Sequence, residues 1–246
     1  MDKFIYTAMT SGKHTLSQMD TVTHNLANIS TDGFRAQIDA FRAVPVISTD
    51  LKVQTFVVDA TVGTNFNSGA IHPTDRAMDV AIQGKGWLAV EAADGKEAYV
   101  RGGSLKVDTN GVLQTQSGLN LLGDGGPITL PPDEAVTFSK DGTVSSIPFG
   151  NKVANGTILG RLKMVNPAEN TLVRGDDGLF RTKDGVAADN DAGVTLVSGA
   201  IEDSNVNSVE SLVSMISLAR QFDLHVKMLS NAQADDEKAS SVLSLS

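Results

Sequence analysis

The residues that could do chemistry are Gly84-Lys85-Gly86-Trp87-Leu88-Ala89, Asp189-Asn190-Asp191-Ala192-Gly193, Arg174-Gly175-Asp176 and four histidines. Gly84 to Ala89 fits the GxGxxA spacing that cradles a pyrophosphate. That chemistry needs a helix N-terminus directly after the glycines. Here Trp87-Leu88-Ala89-Val90 reads as a strand, so a β-turn is expected instead. Asp189 to Gly193 opens like a calcium loop, which requires an acid or amide at its fifth position and a Glu at its twelfth. The chain has Gly193 and Ala200 there, so an exposed turn is the better reading. Arg174-Gly175-Asp176 precedes another turn and is read as a loop. His14, His24, His72 and His225 show no i, i+3 or i, i+4 pairing, the spacing that sets two ligands on one helix face. No GxSxG elbow occurs, and no local context favours a carboxylate pair for glycoside cleavage. No catalytic residue, no cofactor and no metal ligand is assigned.

Composition narrows the field further. A chain of 246 residues suits one large domain or two small ones. Apolar residues reach 41% and aromatics only 5%, so the core must come from Val, Leu, Ile and Ala. A net charge of -9 disfavours nucleic acid and anionic lipid as partners. The absence of cysteine excludes disulfides and thiol chemistry. No run of 18 apolar residues exists, so no direct membrane insertion is expected. Met1 to Gly12 lacks a basic start followed by an apolar block, so no cleaved signal peptide is expected.

The elements that would position a site are at the two ends. Ile5, Met9, Gly12, Leu16, Met19, Thr23 and Leu26 recur at alternating spacings of 4 and 3, a heptad seam. A 25-residue helix there would be about 38 Å long. Asn28 and Gly33 tolerate left-handed backbone and stop it, and Phe34 can fold back on its end. The second helix opens at Asn207, an N-cap with Glu210 three residues on. Val209, Leu212, Val213, Ile216 and Ala219 follow at helical spacing, and Phe222, Val226 and Leu229 continue the stripe after a one-residue slip. Beyond Leu229 the stripe turns polar at Gln233 and Asp236, then apolar at Val242 and Leu243. Residues 35–75, with Pro45, read as an extended connector holding one or two strands. Residues 76–203 read as short strands separated by Asp94-Gly95, Asn110-Gly111, Asp141-Gly142, Asn155-Gly156, Asp177-Gly178 and Asp184-Gly185, pairs suited to tight hairpin turns with positive φ at both positions. The predicted fold is mixed α and β. A discontinuous α-helical coiled-coil domain is built from both termini, residues 1–34 and 204–246, around a central all-β antiparallel domain, barrel- or sandwich-like.

Those residues also carry a family pattern. Asn25-Leu26-Ala27-Asn28-Ile29-Ser30-Thr31-Asp32-Gly33-Phe34-Arg35 resembles the N-terminal signature of the bacterial flagellar rod and hook axial proteins. Ser204-Asn205-Val206-Asn207 running into Val209, Leu212 and Met215-Ile216 resembles their C-terminal signature. Asp79 to Val90 looks like the family's DLAI-x-GxGFF-x-V stretch, and Arg101-Gly102-Gly103-Ser104-Leu105 with Asp108, Gly111 and Leu113 like its R-x-G-x-F…D…G-x-L segment. Ile5 to Met9, Gly33 to Gln37 and Phe41 to Val46 look most like the family's proximal-rod members. Trp87 stands where relatives more often have Phe, and Met78 where they often have Pro or Leu.

The resemblance implies a structural subunit of the flagellar basal-body rod, not an enzyme. It implies terminal helices packed around a tube with the β-domain outside. It implies self-assembly with other rod axial proteins into a helical tube that transmits torque across the periplasm, and passage through the flagellar export apparatus. The residues expected to form the assembly interface are Ile5, Met9, Leu16, Met19, Leu26, Asn28, Gly33, Phe34, Asn205, Val209, Val213, Ile216, Phe222, Val226 and Leu229. Both termini are expected to be largely unfolded in the monomer and to order on assembly. The alternative is a secreted β-rich adhesin or carbohydrate-active enzyme with helical tails.

Overall fold

The computed structural model describes residues 2–46, 54–132, 134–148 and 156–243. Ile47-Ser48-Thr49 and Val53 of the expected extended segment, and Asn155 of the Asn155-Gly156 turn, lie outside them, as do the side chains of Val242 and Leu243. The chain divides into two compact units, Met1–Ile29 with Ala36–Asn65 and Val206–Ser246, and Ser30–Arg35 with Phe66–Asn205.

The first unit holds the long elements. Helix α1 spans Asp2–Ala27 and helix α2 spans Ser208–Leu243, about 39 and 54 Å at 1.5 Å per residue. Asn207 caps α2 as expected. Its Oδ1 accepts from the amides of Val209 and Glu210 at 3.0 and 3.3 Å. At the other boundary Asn28 donates to His24 O twice, from its backbone amide at 3.3 Å and from its side chain at 2.9 Å. Strands β1 (Gln37–Val46) and β2 (Gln54–Thr64) form an antiparallel hairpin with a bulge between Ala40 and Phe41. Asn25 fixes the start of β1. Its Nδ2 donates to Gln37 O at 2.9 Å and its Oδ1 accepts from Gln37 N at 2.8 Å. Thr21 adds a 2.6 Å bond to Asp39.

The helices pair with each other, but not as the coiled coil expected. A coiled coil inserts large apolar knobs into the facing helix. Here Ala8, Gly12 and Thr15 are the buried residues in that stretch of α1. A Cβ built on Gly12 would lie 3.9 Å from the His225 Cβ of α2. Met9 is 54% exposed and Leu16 44%, although both belonged to the predicted seam. Gly12 keeps its predicted place, while Ala8 and Thr15 are buried in place of Met9 and Leu16, and these small residues let the two backbones approach near Gly12.

The second unit is sheets, not a closed barrel. The largest has nine strands. Its main path runs Leu172–Arg174, Phe180–Thr182, Glu97–Val100, Trp87–Glu91, Asn120–Gly123, Leu113–Thr115 and Leu105–Val107. Its first and last strands do not pair, so it has two edges. Separate sheets hold Glu134–Phe138, Thr143–Pro148 and Thr157–Arg161; Val80–Gln83 with Thr195–Ser198; and Ile71–Pro73 with Ala200–Glu202. Closure needs the first and last strands to pair with a fixed stagger, and Leu172–Arg174 and Leu105–Val107 do not.

The turns differ from the expectation in one detail. Gly95, Gly111, Gly142, Gly178 and Gly185 do take positive φ, but Asp75 is the sole non-glycine residue to do so among the described residues. Each of these glycines instead closes a turn by donating to the carbonyl three residues back. The preceding acid keeps an ordinary backbone and uses its carboxylate as an acceptor, as Asp94 does for Lys96 N, Asp141 for Thr143 N and Asp177 for Leu179 N.

Trp87–Glu91 lies at the centre of this unit, with Trp87 to Val90 all buried. One face, Leu88 and Val90, joins Val80, Ile82, Leu105, Leu113, Leu121 and Leu162. The other, Trp87 and Ala89, joins Tyr99, Val165, Leu172 and Phe180, with Phe66 packed edge-on to Trp87 at 6.2 Å. A strand follows Gly84 to Gly86, which removes the helix that a nucleotide site would need. Gly86 is required sterically, since a Cβ there would meet Val194 at 2.7 Å.

Candidate assembly interface

The predicted interface residues fall into separate groups. The first is unpartnered apolar surface on the helices. Met9 and Leu16 on α1, and Val209, Val213, Ile216 and Val226 on α2, are exposed, with Val209 at 68% and Ile216 at 55%. Tyr6, Leu212, Leu224 and Met228 enlarge this surface. Contiguous apolar surface on a soluble chain is the kind that a partner covers. Ile5, Met19, Leu26, Phe222 and Leu229 are instead half-buried. Among the described side chains of α2, Leu218 and Ala232 are the buried apolar ones, and neither stood out by spacing.

The second group belongs to the β unit. Gly33 and Phe34 are buried, and Asn205 is half-buried. Gly33 has φ +66°, and a Cβ would strike the Arg101 carbonyl carbon at 2.4 Å. Its amide donates to Glu202 O at 2.7 Å, while Asn205 N donates to Phe34 O at 3.2 Å and Asn205 Nδ2 to Asn67 O at 2.8 Å. The Arg174 guanidinium lies 4.5 Å over the Phe34 ring, and its Nη1 donates to Arg35 O at 3.0 Å. The Arg174-Gly175-Asp176 tripeptide is thus tied into this unit through its arginine. Asn28 sits at the end of α1, half-buried.

Beneath Phe34 is a cluster of buried charge. Glu202 and Arg35 are 0% and 2% exposed, and Arg101 is 4%. Glu202 Oε1 accepts from Gly69 N at 2.8 Å and lies 2.8 Å from Arg35 Nη1; Oε2 accepts from Arg101 Nε. Arg101 also donates to Gly84 O, Gly86 O and, at 3.2 Å, Ile82 O. Burial pulls the Arg101 pKa down, the Glu202 carboxylate opposes the fall, and the Arg35 cation adds to it. Nearby, burial raises the Asp32 carboxyl, with the Asp203 and Asp79 charges adding to the rise. Glu202 was not singled out from the chain. The available signal was an acid at the end of a short strand, Ala200-Ile201-Glu202, at a position that alternation places on the same face as Ala200.

Among the described residues no group of three His, Cys, Asp or Glu could hold a metal ion. No described helix is long and apolar enough to cross a membrane. Both observations concern geometry only.

Three family models match in chain order. "Flagella basal body rod protein" covers residues 5–35, "Flagellar hook protein FlgE/F/G D1 domain" residues 81–146, and "Flagellar basal body rod FlgEFG protein C-terminal" residues 197–242. The flagellar basal-body rod protein FlgF of Salmonella typhimurium is 40% identical over 252 aligned residues, covering 100% of both chains. The chain belongs to the flagellar basal-body rod protein family. The FlgF protein of Escherichia coli is 40% identical with the same coverage. The rod protein FlgG of Buchnera aphidicola from Acyrthosiphon pisum is 28% identical over 90% of this chain and 92% of its own. The matches support the rod reading and not an adhesin or a carbohydrate-active enzyme. They cover both the helical signatures and the sheets of this rod-family chain.

Proposed function

We propose that this chain is a structural, non-enzymatic subunit of the flagellar basal-body rod, in its proximal part, joining copies of itself and other axial proteins in a helical tube that transmits torque across the periplasm. The observation that carries it is a full-length likeness to rod proteins together with an apolar helix surface left open in the single chain. Each large apolar side chain that a neighbour covers contributes roughly 1.5–3 kcal/mol when fully buried. The exposed predicted residues, Met9, Leu16, Val209, Val213, Ile216 and Val226, are the ones such a neighbour would cover. Ile5, Met19, Leu26, Phe222 and Leu229 are half-buried already and have less surface to offer a neighbour, and Gly33, Phe34 and Asn205 act inside the β unit.

Export through the flagellar apparatus without a cleaved signal peptide belongs to the same reading. So does partial unfolding of the termini before assembly, since a helix pair built on Ala8, Gly12 and Thr15 buries little apolar surface. Far-ultraviolet circular dichroism of the dilute chain should show less helix than α1 and α2 together contain, and full helix content would count against partial unfolding. The decisive experiment replaces a cell's own rod subunit with a tagged copy of this chain and purifies its basal bodies. The tag should localise to the rod. Restored swimming with no tag in the rod would remove the reading.

A further inference from the structure

The Glu202 cluster contains two arginines and one glutamate, so its charges do not balance. Its two arginines are held very differently. Arg101 donates to Glu202 and to the carbonyls of Ile82, Gly84 and Gly86. Arg35 reaches Glu202 Oε1 at 2.8 Å without the alignment of a hydrogen bond, and its Nε has no hydrogen-bond partner among the described residues. Its guanidinium also faces the Trp87 ring, 6.0 Å away, and its carbonyl accepts from Arg174 Nη1 at 3.0 Å. Taking a guanidinium out of water is costly unless its donors are met. Removing Arg35 leaves Glu202 and Arg101 as a neutral, well-bonded pair. Removing Glu202 leaves two buried cations facing each other.

We propose that Gly33-Phe34-Arg35 is a releasable latch on the β unit, anchored at Glu202 and weakened by the poorly satisfied Arg35, so that it opens while the sheets stay folded. The backbone bonds Gly33 N to Glu202 O and Asn205 N to Phe34 O close it. The larger core of the sheets, with Val80, Ile82, Leu88, Val90 and Leu121, includes none of the latch residues. Latch opening frees Gly33-Phe34-Arg35 from the sheets. For its use this rests on the rod-subunit reading, where a terminal helix must find neighbours after the sheets have formed. Its existence does not depend on that reading.

Native-state hydrogen exchange on the full chain separates the two. The amides of Gly33 and Asn205 should exchange through a local opening, with little dependence on denaturant, well ahead of Val80 and Leu88. Arg35→Met replaces the incompletely paired ion by an apolar chain and should slow the Gly33 and Asn205 amides by about tenfold, leaving Val80 and Leu88 unchanged. Glu202→Gln should lower the unfolding midpoint of the β unit by about 10 °C or prevent folding. The proposal is overturned if Gly33 and Asn205 exchange at the core rate with the core denaturant slope. It is equally overturned if Arg35→Met leaves them unchanged or speeds them, or if Glu202→Gln leaves the midpoint where it was. None of these readouts involves rod assembly, so a failed latch and a failed rod assignment give different results.

Discussion

Substituting Ile216 and Leu218, two residues apart on α2, tests which face of the helix meets a neighbour. Ile216 is 55% exposed and Leu218 9%. Ile216→Asp removes apolar surface that is in water in the single chain. Exposed substitutions away from special features change stability by about 0.5 kcal/mol or less, and Ile and Asp differ little in helix propensity. The thermal midpoint should therefore move by no more than about 4 °C for a unit of this size. In an assembly the same change forfeits about 1 kcal/mol of burial, roughly half that of a whole Ile side chain, and sets a carboxylate in an apolar contact. A combined loss of about 3 kcal/mol lowers incorporation by about a hundredfold, at tenfold per 1.4 kcal/mol. Leu218→Ala should behave in the opposite way. It opens a cavity inside the helix pair and should lower the helix melting temperature, while leaving the outward stripe intact. The assay pairs thermal unfolding of each purified variant by circular dichroism with its recovery in basal bodies. Wild-type recovery of Ile216→Asp, or its unfolding as a monomer, would refute the assignment of the outward face.

Other outcomes follow from single groups. Burial pushes the Tyr99 hydroxyl up to about 12, with the bond from Ala188 N opposing and Glu97 adding to the rise. An acid whose pKa is raised by folding destabilises the fold as pH climbs above its unfolded value near 10, and the loss is complete above 12. Stability should thus fall between pH 10 and 12, and Tyr99→Phe should flatten that slope. Tyrosinate absorbance in a Tyr6→Phe background, which leaves Tyr99 alone, would show the raised titration directly. Gly12→Ala adds a Cβ at ordinary contact distance, 3.9 Å from His225 Cβ, so the gain in helix propensity of about 1 kcal/mol should appear as a higher helix melting temperature. A lower melting temperature would mean the helices meet more closely there. Asp32→Asn removes a carboxylate whose pKa is raised by burial and by Asp203 and Asp79. It should stabilise the chain at neutral pH by under about 1 kcal/mol, because the group is partly solvated. That gain should shrink to nothing as acid protonates the wild-type carboxyl, and a gap that persists in acid would assign the effect to something other than charge.

The local chemistry of the chain was legible because it is local. Asn207 announces its helix because one side chain two and three residues upstream suffices to cap the open amides. The strand after Gly86 was visible in Trp87-Leu88-Ala89-Val90, and with it the failure of the nucleotide motif. The glycine turns stood where Asp-Gly and Asn-Gly fell, and the family signatures could be read directly. The tertiary structure decided the inward face of α1, because a heptad stripe and its neighbour one residue away both contain enough apolar or small residues to be buried. Met9 and Leu16 lost that place to Ala8 and Thr15. It also decided that the sheets stay open, since edge pairing between strands near residues 105 and 172 leaves no trace in either strand alone. Glu202 is the clearest case. Its partners are at Arg35 and Arg101, and no periodicity reaches across separations of a hundred residues or more. What a residue does to its own turn of chain is written beside it; what it meets after folding is set by the packing of the whole.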